Sequence, residues 1–230
     1  MQIITAKLTD ISYNEALRYL GGQDVGCLED AAPELLSAMD NCAKLLMDTA
    51  RPRAVWRLFS LAPDGRFEGT SFKPEGADIR NLLASCSDAI LIAATLGSDV
   101  DALLRQWQLR DMAKAAILDA MASSAVENVC DNLCADLQKA LEPRFLTGRF
   151  SPGYGDFPLT QQCELCQLLD VSRRIGVSLT ASGLMLPQKT VTALIGVSDN
   201  PQPQNRRSCD NCRLSSSCLY RKKGSHCGNV

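Results

Sequence analysis

The amino-acid sequence predicts an α+β fold in which helices pack against a largely antiparallel sheet, followed by a short cysteine-rich tail. Three observations support this class. Apolar residues recur at helical spacing over much of the chain. Residues 89–94 form a short apolar run typical of a strand buried on both faces. Residues 190–198 alternate between two sets of side chains with the period of two expected of a sheet.

The first 74 residues predict two helices and a β-hairpin, and they contain no motif that we can assign to chemistry. Helices are expected over residues 11–20 and 33–50, because Gly21-Gly22 stops the first and the second has helical apolar spacing. Residues 54–61 and 66–72 flank a Pro-Asp-Gly turn and predict a β-hairpin. Trp56 and Phe59 are expected in or over the core.

The middle of the chain predicts a short helix around Ile79, the strand at 89–94, and a long helix over residues 111–141. Ser98 and Asp101 resemble a capping box for a helix between the strand and the long helix. Glu127 lies next to the apolar stripe of the long helix, where a carboxylate is costly unless it is paired. Solvent exposure of Glu127 is the simpler interpretation. A helix over residues 159–174 and strands at 177–180 and 190–198 complete the prediction.

Composition excludes several classes of function. With 46 % apolar and 22 % charged residues, the 230-residue chain can bury a core, and its net charge of −2 gives no general attraction to nucleic acid or membranes. No apolar run approaches the roughly twenty residues that span a bilayer, and the N-terminus lacks signal-peptide features. We expect a soluble, cytoplasmic protein. In that compartment the scattered cysteines, including Cys163 and Cys166 with their C-x-x-C spacing, are interpreted mainly as core residues.

Residues 149–158 form the most informative segment. Two prolines and two glycines in ten residues exclude a helix interior and favour a stiff, turning loop. Arg149 could bind a carboxylate through two parallel hydrogen bonds, and Tyr154 offers a flat face with a polar tip. Convergent polar groups on a stiff loop are typical of a small-ligand site, although a purely structural turn has the same composition.

Two motifs carry a resemblance to a known family. Arg149-x-Ser151-Pro152-Gly153-Tyr154 resembles the Arg-x-x-Pro-Gly-Tyr signature of the reactivation domain of cobalamin-dependent methionine synthase, in its free-standing form. A second signature of that domain resembles residues 179–192, which end in Thr190-Val191-Thr192 where the family has Ser-Val-Ser. The resemblance extends over residues 75–198. We therefore expect a domain over residues 1–198, a linker at 199–208 and a separate tail at 209–230.

The resemblance implies binding of S-adenosylmethionine and support of reductive methylation of inactive cob(II)alamin. It implies that Arg149 holds the ligand carboxylate, Ser151 and Gly153 contact the adenosyl side, Tyr154 packs near the sulfonium, and Glu127 meets the ammonium group. No cobalt-ligating Asp-x-His-x-x-Gly motif occurs in the chain, so cobalamin is expected on a partner, a methionine synthase or another corrinoid protein. A flavodoxin or ferredoxin would donate the electron. Whether the chain is itself an enzyme or an activating component stays open. The alternative is a non-catalytic metal-binding adaptor that docks on a corrinoid methyltransferase.

The tail predicts a metal site. Cys209, Cys212, Cys218 and Cys227 lie within nineteen residues that have little else to form a core, and thiolates at such spacing bind zinc or an iron–sulfur cluster. The neighbouring His226 could replace Cys227 as a ligand. Spacing alone does not choose the metal. The need for an electron favours iron–sulfur slightly, because zinc has no redox chemistry.

Overall fold

A five-stranded antiparallel sheet forms the centre of the molecule. The structure is a computed structural model that describes residues 2–4, 6–21 and 32–201. The strand order is β1-β2-β3-β7-β4. These strands are β1 (Gln2–Ile4), β2 (Arg53–Ser60), β3 (Asp88–Thr95), β4 (Phe145–Leu146) and β7 (Thr190–Ser198). A small separate pair is made by β5 (Ser178–Leu179) and β6 (Met185–Leu186). Every described pairing is antiparallel, which confirms the helices-on-sheet part of the predicted fold class, whereas the cysteine-rich tail lies outside the described residues.

Seven α-helices accompany the strands in the described part of the chain. They are α1 (Tyr13–Tyr19), α2 (Pro33–Thr49), α3 (Ala77–Leu83), α4 (Ser98–Gln108), α5 (Met112–Ala140), α6 (Gln162–Leu169) and α7 (Val171–Ile175). The helices predicted at 11–20, 33–50 and 111–141 are confirmed. The Asp111 carboxylate begins α5 by accepting the Lys114 N–H at 3.0 Å, the usual role of an aspartate at a helix N-terminus. None of these helices combines the length and apolarity that crossing a membrane requires.

The central strands are buried on both faces because the sheet separates two hydrophobic cores. One core joins the sheet to α1, α2, α4 and α5, and contains Met39, Leu46 and Val129. The other lies under α3, α6 and α7, and contains Phe67 and Phe157. Consecutive residues of β3 point into different cores, as the period of two requires. This arrangement confirms the strand predicted from the apolar run at 89–94 and makes β3 and β7 a rigid support.

The predicted hairpin is wrong in its second arm. Residues 54–61 do form β2, but residues 66–72 add no strand and meet it only through a bridge between Leu61 and Phe67. The reason is local: the Phe67 N–H donates to the Phe72 carbonyl at 2.9 Å, so residues 67–72 close on themselves and do not run along β2. Phe67 and Phe72 instead turn into the core, with ring centroids 5.0 Å apart at nearly right angles. Phe59 is buried and Trp56 is half-buried, as predicted.

Two further local predictions need correction. The single helix predicted over 159–174 is a 3₁₀ turn (Leu159–Gln161) followed by α6 and α7, which are separated at Asp170 by a left-handed φ of 51°. The capping box at Ser98 is absent, because Gly97 is the N-cap and no side chain caps α4. Asp101 is instead buried, and it accepts the Gln188 N–H at 2.8 Å across the fold.

Five of the six cysteines in the described residues are buried or half-buried, as the core interpretation predicts, and Cys163 is not. Cys42, Cys130 and Cys166 are buried thiols, whereas Cys163 is exposed in the first turn of α6. The C-x-x-C pair is therefore divided between surface and core. The core interpretation holds for Cys166 and is wrong for Cys163.

Candidate functional site

Strand β7 positions the loop that the sequence singles out. Residues 145–150 run antiparallel along its edge, where Phe150 exchanges two 2.9 Å backbone hydrogen bonds with Leu194. Thr147 adds two more contacts to Gly196, one from its backbone N–H at 3.0 Å and one to its hydroxyl at 2.8 Å. Arg149 thus leaves the edge of a buried strand, not a free loop.

Beyond Phe150 the chain makes a compact turn that is fixed from within. The Gly153 N–H donates to the Phe157 carbonyl at 2.8 Å, and the Tyr154 N–H donates to the Ser151 carbonyl at 3.0 Å. Gly153 and Gly155 have φ angles of 94° and 50°, which side-chain-bearing residues rarely adopt. The prediction of a stiff turning loop is confirmed in its backbone geometry.

Asp156 ties this loop to the start of α3. Its carboxylate accepts the backbone N–H groups of Ala77 at 2.5 Å and Asp78 at 3.0 Å. In return, the Asp156 N–H donates to the Asp78 carboxylate at 3.3 Å. Hydrogen bonds from Ala77 and Asp78 hold the pKa of Asp156 below its usual value. Asp156 is therefore a cap for a helix nearly eighty residues earlier in the sequence.

The Arg149 side chain is enclosed by one face of α5. Its guanidinium nitrogens lie 2.7 Å from Glu127 Oε2 and 2.6 Å from Asp131 Oδ1, and 3.8 Å from the Cys134 sulfur. These three residues share a helix face because their spacing is four and three. We call Arg149, Glu127 and Asp131 the arginine cluster. Exposed fractions of the side chains are 18 % for Arg149, 26 % for Glu127 and 68 % for Asp131.

The surroundings keep this cluster charged. Burial acts to lower the pKa of the Arg149 guanidinium. The carboxylates of Asp131 and Glu127, joined at strongly alkaline pH by the thiolates of Cys130 and Cys134, outweigh burial and raise the pKa above its ordinary value. Burial raises the pKa of Cys134, and the attraction of Arg149 only partly offsets it. At neutral pH the thiol is therefore protonated, and the formal charges of the cluster are those of one guanidinium and two carboxylates.

Two exposed tyrosines belong to elements that adjoin the cluster, the loop after Arg149 and helix α1, which packs against α5. Tyr154 is 52 % exposed and stands edge-on to Phe150, with the ring centroids 6.5 Å apart. Tyr19, at the end of α1, is 44 % exposed. Burial of its ring raises the pKa of Tyr19, Arg18 opposes this effect, and the carboxylates of Glu127 and Glu15 add to it. Nothing in the sequence pattern pointed to Tyr19.

The second motif begins in the β5–β6 pair and enters β7. Residues 178–186 form that pair, and Gln162 of α6 donates to the Gly183 carbonyl at 3.4 Å. The buried Thr190 hydroxyl lies 2.9 Å from that of Thr95 and 2.7 Å from the Pro187 carbonyl. Both motifs therefore attach to the same buried strand.

The structure brings some of the predicted site residues together. Arg149 and Glu127 are in direct contact, so the simpler interpretation of Glu127 as a solvated carboxylate is wrong. Ser151 and Gly153 use backbone groups within the loop itself. Asp131 was missed, although its position four residues after Glu127 on the same helix face was a usable signal.

The predicted metal ligands Cys209, Cys212, Cys218 and Cys227 lie outside the described residues. Within residues 6–21 and 32–201, no group of three or more histidine, cysteine or acidic side chains is arranged to hold a metal ion. The metal site of the tail therefore stays a prediction.

Comparison with known proteins agrees with the family resemblance. Residues 91–204 match the family described as vitamin B12 dependent methionine synthase, activation domain. Among solved structures, the chain is similar to a crystal structure described as the MetH reactivation domain bound to AdoHcy. The TM-score is 0.66 at 18 % sequence identity, over 98 % of this chain and 86 % of that one. That likeness establishes the fold. No curated protein matches the chain. The segment over residues 91–204, which includes both motifs and the arginine cluster, therefore belongs to the family of vitamin B12 dependent methionine synthase activation domains.

Proposed function

We propose that this chain binds S-adenosylmethionine at the arginine cluster and the loop over residues 150–158. In this role it supports reductive methylation of cob(II)alamin carried by a separate methionine synthase or similar corrinoid protein. One electron and the methyl group of S-adenosylmethionine convert cob(II)alamin to methylcobalamin, and S-adenosylhomocysteine is the other product. Family membership supports the methionine synthase context. A similar structure is described as bound to AdoHcy, which supports the class of ligand.

The observation that carries the proposal is the half-buried guanidinium of Arg149 beside a rigid, aromatic loop. Arg149 would take the ligand carboxylate in place of one of its present partners, because a planar guanidinium matches a carboxylate through two hydrogen bonds. Glu127 would accept from the ligand ammonium. The exposed face of Tyr154 would lie against the sulfonium, a cation that an aromatic face attracts.

The internal bonding of the loop limits what it offers to the adenosyl side. The Gly153 N–H is committed to Phe157, so a ligand contact from Gly153 would come from its carbonyl oxygen. The Ser151 carbonyl already accepts one hydrogen bond and has a second lone pair. Both would therefore act as acceptors, as an adenine amino group or ribose hydroxyls require. The task of these groups is to hold the reacting methyl group in place for the partner.

Titration calorimetry with S-adenosylmethionine tests the proposal. Arg149→Ala should weaken binding on the order of a hundredfold, because a charge-assisted bidentate contact is lost. Arg149→Lys keeps the positive charge but lacks the two parallel N–H donors of a guanidinium. Its affinity for S-adenosylmethionine should therefore lie between those of the unmodified protein and Arg149→Ala.

Arg144→Ala is the matched control. Arg144 also pairs with two carboxylates, Asp88 and Asp199, but it lies at another part of the sheet edge. We expect it to bind like the unmodified protein, with circular dichroism reporting that each variant is folded. Absence of heat from the unmodified protein would reject S-adenosylmethionine binding and favour the non-catalytic adaptor.

A further inference from the structure

The arginine cluster carries more negative than positive charge. One guanidinium meets two carboxylates at 2.7 and 2.6 Å, which leaves an excess of one negative charge. Each carboxylate takes a different guanidinium nitrogen, so neither makes the two-pronged contact that arginine favours. The described cluster is thus arranged as a guanidinium shared between two competing counter-ions.

The two counter-ions differ in how easily they can leave. Glu127 is 26 % exposed, and separating it from Arg149 would strand a half-buried charge. Asp131 is 68 % exposed, and water can replace the guanidinium at little cost. An incoming carboxylate would therefore displace Asp131 before Glu127.

We infer that Asp131 is a displaceable counter-ion that makes the site select a positively charged ligand over a neutral one. The inference rests on the proposed function and adds to it a residue that determines specificity. In the empty site Asp131 holds Arg149 in place. When the ligand carboxylate takes over the guanidinium nitrogen, Asp131 stays on the neighbouring turn of α5, and its charge faces the bound amino-acid head group.

The charges then favour the methylated ligand. S-adenosylmethionine has a carboxylate, an ammonium and a sulfonium, and is positive by one charge overall. S-adenosylhomocysteine lacks the sulfonium and is neutral. The excess negative charge of the cluster is cancelled by the first ligand and left uncancelled by the second. The site should therefore hold the methyl donor and release the demethylated product.

Paired titrations of both ligands at low ionic strength test the inference in the full-length protein and in Asp131→Asn. The unmodified protein should prefer S-adenosylmethionine. Asp131→Asn should reduce that preference about two- to fivefold, the range of a partly exposed charge pair. Affinity for S-adenosylhomocysteine should be equal or higher in the variant, because its carboxylate no longer competes with Asp131 for the Arg149 guanidinium. Raising the salt concentration should reduce the preference in the unmodified protein and hardly change it in the variant.

Asp136→Asn is the matched control, since Asp136 is also an exposed aspartate on α5, away from the cluster. It should keep the preference of the unmodified protein. If Asp131→Asn lowered the affinity for both ligands by the same factor, Asp131 would only fix the conformation of the Arg149 side chain, and the inference would be overturned. An unchanged ratio of affinities would overturn it as well. Binding of neither ligand by the unmodified protein would reject the proposed function itself, and with it this inference.

Discussion

Gly155→Ala tests whether the loop geometry is needed for the site. Gly155 has a φ of 50°, and an added Cβ would lie 2.2 Å from the Asp78 Oδ2 atom and 3.2 Å from the Phe150 ring. The left-handed backbone alone costs an alanine about 1–2 kcal/mol. Overpacking adds about 1 kcal/mol, the low end of its usual range, because the Asp78 carboxylate is the end of a flexible side chain.

Gly65→Ala separates the cost of the left-handed backbone from the cost of overpacking. Gly65 also has a positive φ, of 81°, but its Cβ would meet nothing within 4 Å. Gly155→Ala should therefore be less stable than Gly65→Ala by about 1 kcal/mol, a difference in melting temperature of about 2–4 °C. Urea and thermal denaturation measure this difference. Titration with S-adenosylmethionine should then show weaker binding by Gly155→Ala and unchanged binding by Gly65→Ala. Equal stabilities, or equal affinities, would refute the argument that close packing of this loop forms the site.

Two further predictions concern pH and the tail. Because hydrogen bonds hold the folded-state pKa of Asp156 below that of the unfolded chain, its contribution to stability is complete above about pH 4 and is lost as the pH falls through the folded-state value. Asp156→Asn should thus show a shallower loss of stability on acidification, measured by urea unfolding at several pH values, and an unchanged slope would count against this cap. Anaerobic purification should yield metal bound by Cys209, Cys212, Cys218 and Cys227. Iron with acid-labile sulfide would support an electron relay, whereas one zinc in a colourless protein would exclude it.

The parts of the fold that sequence predicts well are those with one dominant physical cause. The long helix α5 has an apolar stripe over eight turns and an aspartate cap, and its bounds agree closely with the prediction. Strands β3 and β7 are continuous apolar or alternating runs. The failures come from contacts that the sequence pattern does not show. Residues 67–72 close on themselves through the hydrogen bond from the Phe67 N–H to the Phe72 carbonyl, and Asp170 interrupts a helical pattern with a left-handed backbone.

The candidate site also contains residues that the sequence indicated and contacts that only the tertiary structure reveals. Local chemistry together with the family resemblance pointed to Arg149 and its loop. Glu127 became a candidate through the resemblance, because solvent exposure was the simpler interpretation of its position beside an apolar stripe. Its pairing with Arg149 was not predicted, since the contact between α5 and the sheet edge depends on how residues 145–150 lie along β7. Asp131 was missed for a related reason. An exposed aspartate on a helix is usually solvated, and only the position of Arg149 gives Asp131 an ion-pair partner.

Strand β7 explains how two motifs thirty residues apart can belong to one site. The first motif pairs its Phe150 backbone with Leu194 in the middle of the strand, and the second motif runs directly into the strand at Thr190. Because β7 is buried on both faces and pairs with β3 along eight residues, it cannot shift relative to the sheet without disturbing both cores. A displacement of either motif would therefore have to break hydrogen bonds to this strand. The fold fixes Arg149 against α5 through β7, and the exposed Asp131 is the member of the arginine cluster that we propose exchanges for the ligand carboxylate.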